Sequence, residues 1–365
     1  MNNLYDAKMM QAMRAALMNY YDDNYDIVLV SPSKLDKMQM VATKCLQLLL
    51  KMSGRKSDAS MLFCSKNNYY LKQMEEFEPL FLSLSDEDSQ DRLIELLVFR
   101  TFGATRVKLS LNNEAYWKGR KEVEKYKRSE FVEVKNFRCN LSLFDLKDCG
   151  YDLKLFFAAN GVYVDFILQQ YNYNDLVCVK KGDVVIDAGA CWGDTALYFS
   201  SRGAKAVYSF EFIPSNLSVF EKNISLNPLL KEEIHIVTSP LWSESNIPLS
   251  YDDRGPASQV AEAGKFKGNT RTLSIDDLVK EQGLESVDFI KMDIEGAEMP
   301  ALQGASETIR KFRPKLAISV YHKSDDMIVI PEFIRSLNSD YKFYLDYYTI
   351  VGHEIMLYAI DKNAV

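Results

Sequence analysis

The sequence predicts an α/β protein: a mainly parallel sheet wrapped by helices, with an antiparallel last strand, behind a mixed, largely helical N-terminal domain. Three observations carry this. From Val184 onward strand-like and helix-like segments alternate, and strands joined by helical crossovers pair in parallel. The last two strand-like runs are separated only by residues 349–354, too few for a crossover, so the final strand runs antiparallel to its neighbour. With 47% hydrophobic and 26% charged residues in a chain of 365, a sizeable core is assured, which excludes disorder and fibrous repeats.

In chain order, residues 3–20 place apolar side chains at helical spacing and predict a first helix. Residues 25–31 and 60–65 read as short strands around a helix over 35–52. The turn after the first of these, Ser31 to Asp36, holds no glycine, which argues against a dinucleotide cradle there. Residues 69–102 read as helical, with Ser85 or Asp86 as cap and Leu93, Leu96 and Leu97 on the buried face. The polar stretch 113–130 reads as a solvated helix or linker. Asn160-Gly161 reads as a hairpin turn between two apolar runs. The domains predicted are therefore residues 1–140 and 141–365, the second comprising a leading hairpin segment (141–175) and a core (183–361).

Charge and cysteine usage narrow the function. Lys plus Arg minus Asp plus Glu is 44 − 51 = −7, a poor balance for neutralising many phosphates, so no nucleic-acid partner is expected. The six cysteines are scattered, without zinc-site spacing or a disulfide framework, and fit a reducing, cytoplasmic setting. The start lacks the apolar block of a signal peptide, and no run is long enough to span a bilayer.

The chemistry concentrates in two loops. The strand from Val184 ends in Asp187-Ala188-Gly189-Ala190-Cys191-Trp192-Gly193, where small residues let the backbone approach a ligand at the carboxyl edge of the sheet. The next strand closes at Glu211, where a carboxylate can accept hydrogen bonds from both ribose hydroxyls of a nucleoside. Without G-x-G-x-x-G, the turn does not build a pyrophosphate cradle, so an adenosine derivative lacking phosphates is the ligand expected. The second loop is Asp293-Ile294-Glu295-Gly296-Ala297-Glu298. A parallel sheet opens it on the same edge, with Asp293 toward the reacting group; the plainer reading makes Glu295 and Glu298 the acidic first turn of a helix.

Three histidines remain. His235 opens a parallel strand, at the opposite edge, and reads as structural. His322 ends a strand at the ligand edge and is the candidate general base, with His353 on the final hairpin as the weaker one. Asp293, Glu295 and His322 can alternatively hold a divalent ion, but nothing in the sequence fixes their spacing, and no metal is entered.

The segments VVIDAGACWGDTALYF, VYSFEFIPSNLSVFEKN, TLSIDDL, VDFIKMDIEGAEMPALQGA and RPKLAISVYH resemble, in order and wording, the FkbM family of S-adenosylmethionine-dependent methyltransferases, over about the last half of the chain. The resemblance implies a Rossmann-like class I methyltransferase sheet and S-adenosylmethionine as cofactor. It implies that Asp187, Gly189, Ala190 and Gly193 line the methionine end, that Glu211 with Phe212 holds the ribose, and that the adenine lies near Leu241, with Asp293 also at the cofactor. Cys191 stands where the family often has another glycine. Asp293, Glu295 and His322 then handle the acceptor, a small molecule or glycan whose hydroxyl is methylated. Two other readings stand beside this one: a methyltransferase-like scaffold without turnover, and a nicotinamide oxidoreductase, which the missing fingerprint disfavours.

Overall fold

The computed structural model describes residues 4–19, 21, 24, 68–135 and 140–364. The strand–helix–strand expected over residues 25–65, together with Cys45, Cys64 and Cys139, lies outside the described residues.

The chain divides into two compact units: Met1–Trp117 with Leu345–Ile355, and Lys118–Tyr344 with Met356–Val365. In the first, the helix Leu4–Met18 meets the helix Glu87–Phe102, with Lys8 Nζ 3.1 Å from Glu87 and 2.6 Å from Asp91. Asp86 caps the latter helix by accepting from the Ser89 amide at 2.8 Å, and Leu93, Leu96 and Leu97 are fully buried.

The second unit carries three sheets. β1 (Lys127–Val132), β2 (Leu141–Asp145) and β3 (Lys154–Phe157) form an antiparallel sheet. The pairing of β1 with β2 joins residues on both sides of position 141, which is why the division falls after Trp117 and not at the expected boundary. The main sheet contains β4 (Val184–Ala188), β5 (Ala206–Phe210), β6 (Ile234–Val237), β10 (Phe289–Met292), β11 (Lys315–Ser319), β12 (Tyr341–Tyr347) and β13 (Ile355–Asp361). Their spatial order is β12-β13-β11-β10-β4-β5-β6. β6, β5, β4, β10 and β11 pair in parallel, while β13 runs antiparallel to β11. β4 and β10 are buried throughout, as central strands covered on both faces must be.

One expectation is corrected, and two features go beyond the sequence reading. Asn160-Gly161 does not turn a hairpin. It lies in a helical turn that leads into a π-helix, Val162–Ile167. A two-residue hairpin of that type needs positive φ, whereas Gly161 has φ −61°; the glycine is required because a side chain there would run into the Phe157 ring. Residues 298–312 form two helices, Glu298–Gln303 and Ser306–Phe312, broken at Gly304, where a Cβ would strike the carbonyl of Trp242. Between β6 and the helix Ile275–Glu281, the chain adds an unforeseen antiparallel sheet: β7 (Pro248–Tyr251), β8 (Val260–Glu262) and β9 (Gly268–Arg271). Its strands are only three or four residues long, too short for alternation to register.

Candidate active site

The carboxyl ends of β4, β5, β10 and β11 bring the two expected loops to one edge of the sheet. Gly189 has φ +85°, and a Cβ built on it stands 3.0 Å from the Asp293 carbonyl carbon and 3.1 Å from Ile294 Cγ2. The loops after β4 and β10 therefore touch through a bare backbone, and glycine is needed for both its conformation and its size. Gly193, at φ +80°, precedes the helix Asp194–Ser201 and lies against the Phe220 ring. Between them Cys191 adopts φ 46°, the left-handed region that favours glycine. Ala190 is fully buried, its amide bonded to the Phe210 carbonyl at 3.0 Å.

Asp187 does not face outward. Its carboxylate accepts from Thr195 Oγ1 (3.0 and 2.9 Å) and Ser209 Oγ (3.1 Å), and pairs with Lys291 Nζ at 3.3 Å. Both members of the pair are almost fully buried. Lys291 also donates to the carbonyls of Ala188 (3.0 Å) and Gly189 (2.7 Å), so the ion pair fixes the path of the loop. Burial favours a neutral amine, but the fields of Asp187, Asp293 and Asp194 outweigh it and raise the Lys291 pKa. Lys291 was missed in the sequence, although a charge inside the apolar strand FIKM is itself a signal, since buried charges are paired.

Glu211 follows β5 and is 6% exposed. One of its oxygens accepts from the amides of Phe212 and Ile213, both at 2.7 Å; the other accepts from Asn216 Nδ2 at 3.0 Å. Burial pushes its pKa up to about 7, against these donors. A carboxylate offers about four acceptor directions, so one remains open. The buried Oδ1 of Asn216 makes no hydrogen bond. Glu211 thus has one acceptor direction left and its partner Asn216 an unbonded oxygen; Asn216 was not foreseen. Phe212 is half-buried, edge-on to Tyr251 at 5.5 Å, and Leu241 is buried where the chain bridges to Leu273.

At the other end of the edge, His322 gathers the acidic loop. Its Nδ1 lies 2.9 Å from Glu298 Oε1, and its Nε2 lies 3.4 Å from Asp293 Oδ1 and 3.9 Å from Glu295 Oε2. Glu298 also accepts from the amides of Ile294 (2.9 Å) and Gly296 (3.4 Å). Glu298, read in the sequence either as part of this loop's chemistry or as the acidic start of a helix, thus holds the loop and the imidazole. Burial favours neutral His322, but the bond to Glu298 and the charges of Asp293, Glu298 and Glu295 prevail and lift its pKa to about 9. Burial raises Glu295 to about 7, while the bond to His322 outweighs burial and lowers Glu298. Glu295 stands at φ 54°, a strained conformation for a glutamate. His235 stacks on Tyr208 at 4.9 Å, as a structural histidine would, and His353 belongs to the other unit, where its amide donates to Thr349 Oγ1. A cavity of about 560 Å³ lies elsewhere, bordered by Tyr151, Gln169, Arg202 and Leu229, and none of the candidate residues lines it.

Residues 187–343 match the model of the methyltransferase FkbM domain. Methyltransferase sdnD of Sordaria araneosa is 24% identical over 188 residues, 42% of this chain and 73% of its own length. The 2-O-methyltransferase NoeI of Sinorhizobium fredii (strain NBRC 101917 / NGR234) is 39% identical over 69 residues, 18% of this chain and 28% of its own. The crystal structure of methyltransferase FkbM from Methylobacillus flagellatus KT superposes with a TM-score of 0.51 at 19% identity, over 79% of this chain and 59% of that one. That likeness shows the fold.

Proposed function

From the match of residues 187–343 to the methyltransferase FkbM domain, we propose that the protein transfers a methyl group from S-adenosylmethionine to a hydroxyl of a sugar, glycan or natural-product acceptor. The observation that carries this reading is the meeting of the two loops at Gly189 and Asp293, on the sheet edge where Glu211 with Asn216 and the cluster of Asp293, Glu295 and His322 stand. The orphaned Asn216 Oδ1 beside Glu211 supports a ribose there, and the turn at Gly189, Cys191 and Gly193 brings backbone close enough for the rest of the cofactor. NoeI's designation as a 2-O-methyltransferase supports oxygen as the acceptor atom.

Bound S-adenosylmethionine supplies an electrophilic methyl carbon on a sulfonium. The chain supplies the rest. Asp187 and Lys291 hold the glycine turn in place; Glu211 and Asn216 orient the nucleoside. The hydroxyl proton of the acceptor must leave as the new C–O bond forms, and Glu295, at about pKa 7 and partly exposed, is poised to take it. His322, held as imidazolium by three carboxylates, keeps the cluster from repelling itself apart.

The test is methyl transfer from methyl-labelled S-adenosylmethionine to a panel of hydroxylated acceptors, for the wild type and Glu295→Gln. Loss of about 10²- to 10⁴-fold in turnover, the usual contribution of a general base, with cofactor affinity retained, is the expected result. Undiminished turnover in the variant removes Glu295 from the mechanism.

A further inference from the structure

The cluster around His322 has more negative charge than its imidazole can balance. Asp293, Glu298 and His322 each place a ligand atom within 4.8 Å of the others, and Glu295 adds a third carboxylate 3.9 Å from Nε2. His322 Nε2 is buried without a hydrogen bond, on a side chain only 9% exposed. Its other nitrogen is fixed by Glu298 Oε1, which the Ile294 and Gly296 amides hold in turn. A histidine pinned through Nδ1 by a carboxylate, with Nε2 aimed at further carboxylates, is the arrangement in which an outer carboxylate orients a metal-binding imidazole.

We propose that Nε2 of His322, with the carboxylates of Asp293 and Glu295, binds one divalent cation, and that Glu298 orients the imidazole without ligating. The cation takes the place of the imidazolium proton. One imidazole with two carboxylates is a mixed nitrogen and oxygen set, which suits Mn²⁺ or a similar ion better than Ca²⁺. Asp293 Oδ1, 3.4 Å from Nε2, and Glu295 Oε2, 3.9 Å from it, would close on the imidazole to share a cation with bonds slightly above 2 Å. With the cation bound, Glu295 serves as a ligand, and the cation, by binding the acceptor oxygen, would lower the pKa of its hydroxyl; the free Glu295 carboxylate is the proton acceptor only in its absence. The inference rests on the methyltransferase reading only for that last role; the binding itself stands on the cluster.

The experiment is a titration of Mn²⁺ into chelator-treated full-length protein, followed by loss of the electron paramagnetic resonance signal of the aqueous ion, beside a separate calorimetric titration with S-adenosylmethionine. Wild type should bind one Mn²⁺ per chain. His322→Gln and the partly exposed Glu295→Gln should weaken it at least tenfold, and Glu298→Gln by about 10- to 100-fold through the outer shell. Wild type that leaves the Mn²⁺ signal unchanged, or variants that bind Mn²⁺ as wild type does, overturns the proposal whatever the cofactor titration shows. Absence of cofactor binding overturns the methyltransferase reading, and the Mn²⁺ result decides this site independently.

Discussion

Replacing Gly189 by alanine tests the contact on which the site depends. Two costs add. At φ +85° an L side chain costs roughly 1–2 kcal/mol. The new methyl group would also run into the Asp293 carbonyl oxygen, its nearest neighbour, and stand 3.0 Å from the carbonyl carbon, where ordinary carbon contacts lie near 3.5–4.0 Å, so the loops must part by more than about 1 Å. Overpacking of that kind adds about 1–3 kcal/mol, for a total on the order of 2–5 kcal/mol. Gly264 separates the two costs, because it has φ +88° with nothing within 4 Å of its Cβ position. Thermal unfolding should fall by about 2–8 °C for Gly264→Ala and on the order of 10 °C for Gly189→Ala, at about 2–4 °C per kcal/mol. Because misplacement by about 1 Å can cost about 100-fold in rate, Gly189→Ala should also lose turnover out of proportion to its stability. Equal melting temperatures and equal turnover in the two variants would refute the close approach of the loops.

Asn216→Ala should weaken S-adenosylmethionine binding about tenfold, the value of one hydrogen bond of about 1.4 kcal/mol, as calorimetry can read; unchanged affinity removes Asn216 from the ribose. Glu211 carries a pH dependence: its folded pKa, about 7, stands above the ordinary 4.5, so protonation stabilises the unliganded fold. That contribution is full below about 4.5 and is lost as pH rises through about 7. Ribose hydroxyls donate to the ionised carboxylate, so cofactor affinity should be full above about pH 7 and fall by up to tenfold per unit below it. A profile as steep in Glu211→Gln as in wild type would assign the titration to another group. Lys291→Met should destabilise the protein by about 3–5 kcal/mol in chemical denaturation, because Asp187 is left buried and uncompensated; a loss below about 1 kcal/mol would deny the pair its role.

The main sheet was legible because each strand is an apolar run and each connection has a length that limits its geometry; the six residues 349–354, too few for a crossover, pointed to an antiparallel last strand, and β13 does run antiparallel to β11. The loops at Asp187 and Asp293 were legible as small or acidic residues at strand ends. What the sequence hid depends on three-dimensional neighbours. Gly161 carries the dipeptide signature of a hairpin, yet it is set by the Phe157 ring against it, which no local pattern reveals. Asn216 lies in the first turn of a helix, and only the fold shows that its side chain bonds Glu211. Asp187, expected at the cofactor, turns inward because Lys291 sits opposite it on the neighbouring strand.

The most direct measurement is isothermal titration of the full-length protein with S-adenosylmethionine and S-adenosylhomocysteine, with NAD as control, in wild type and Glu211→Ala. The account predicts micromolar binding of both sulfur compounds, about 8 kcal/mol, no binding of NAD, and loss of affinity in the variant. Binding of NAD alone, or of neither sulfur compound, would contradict it.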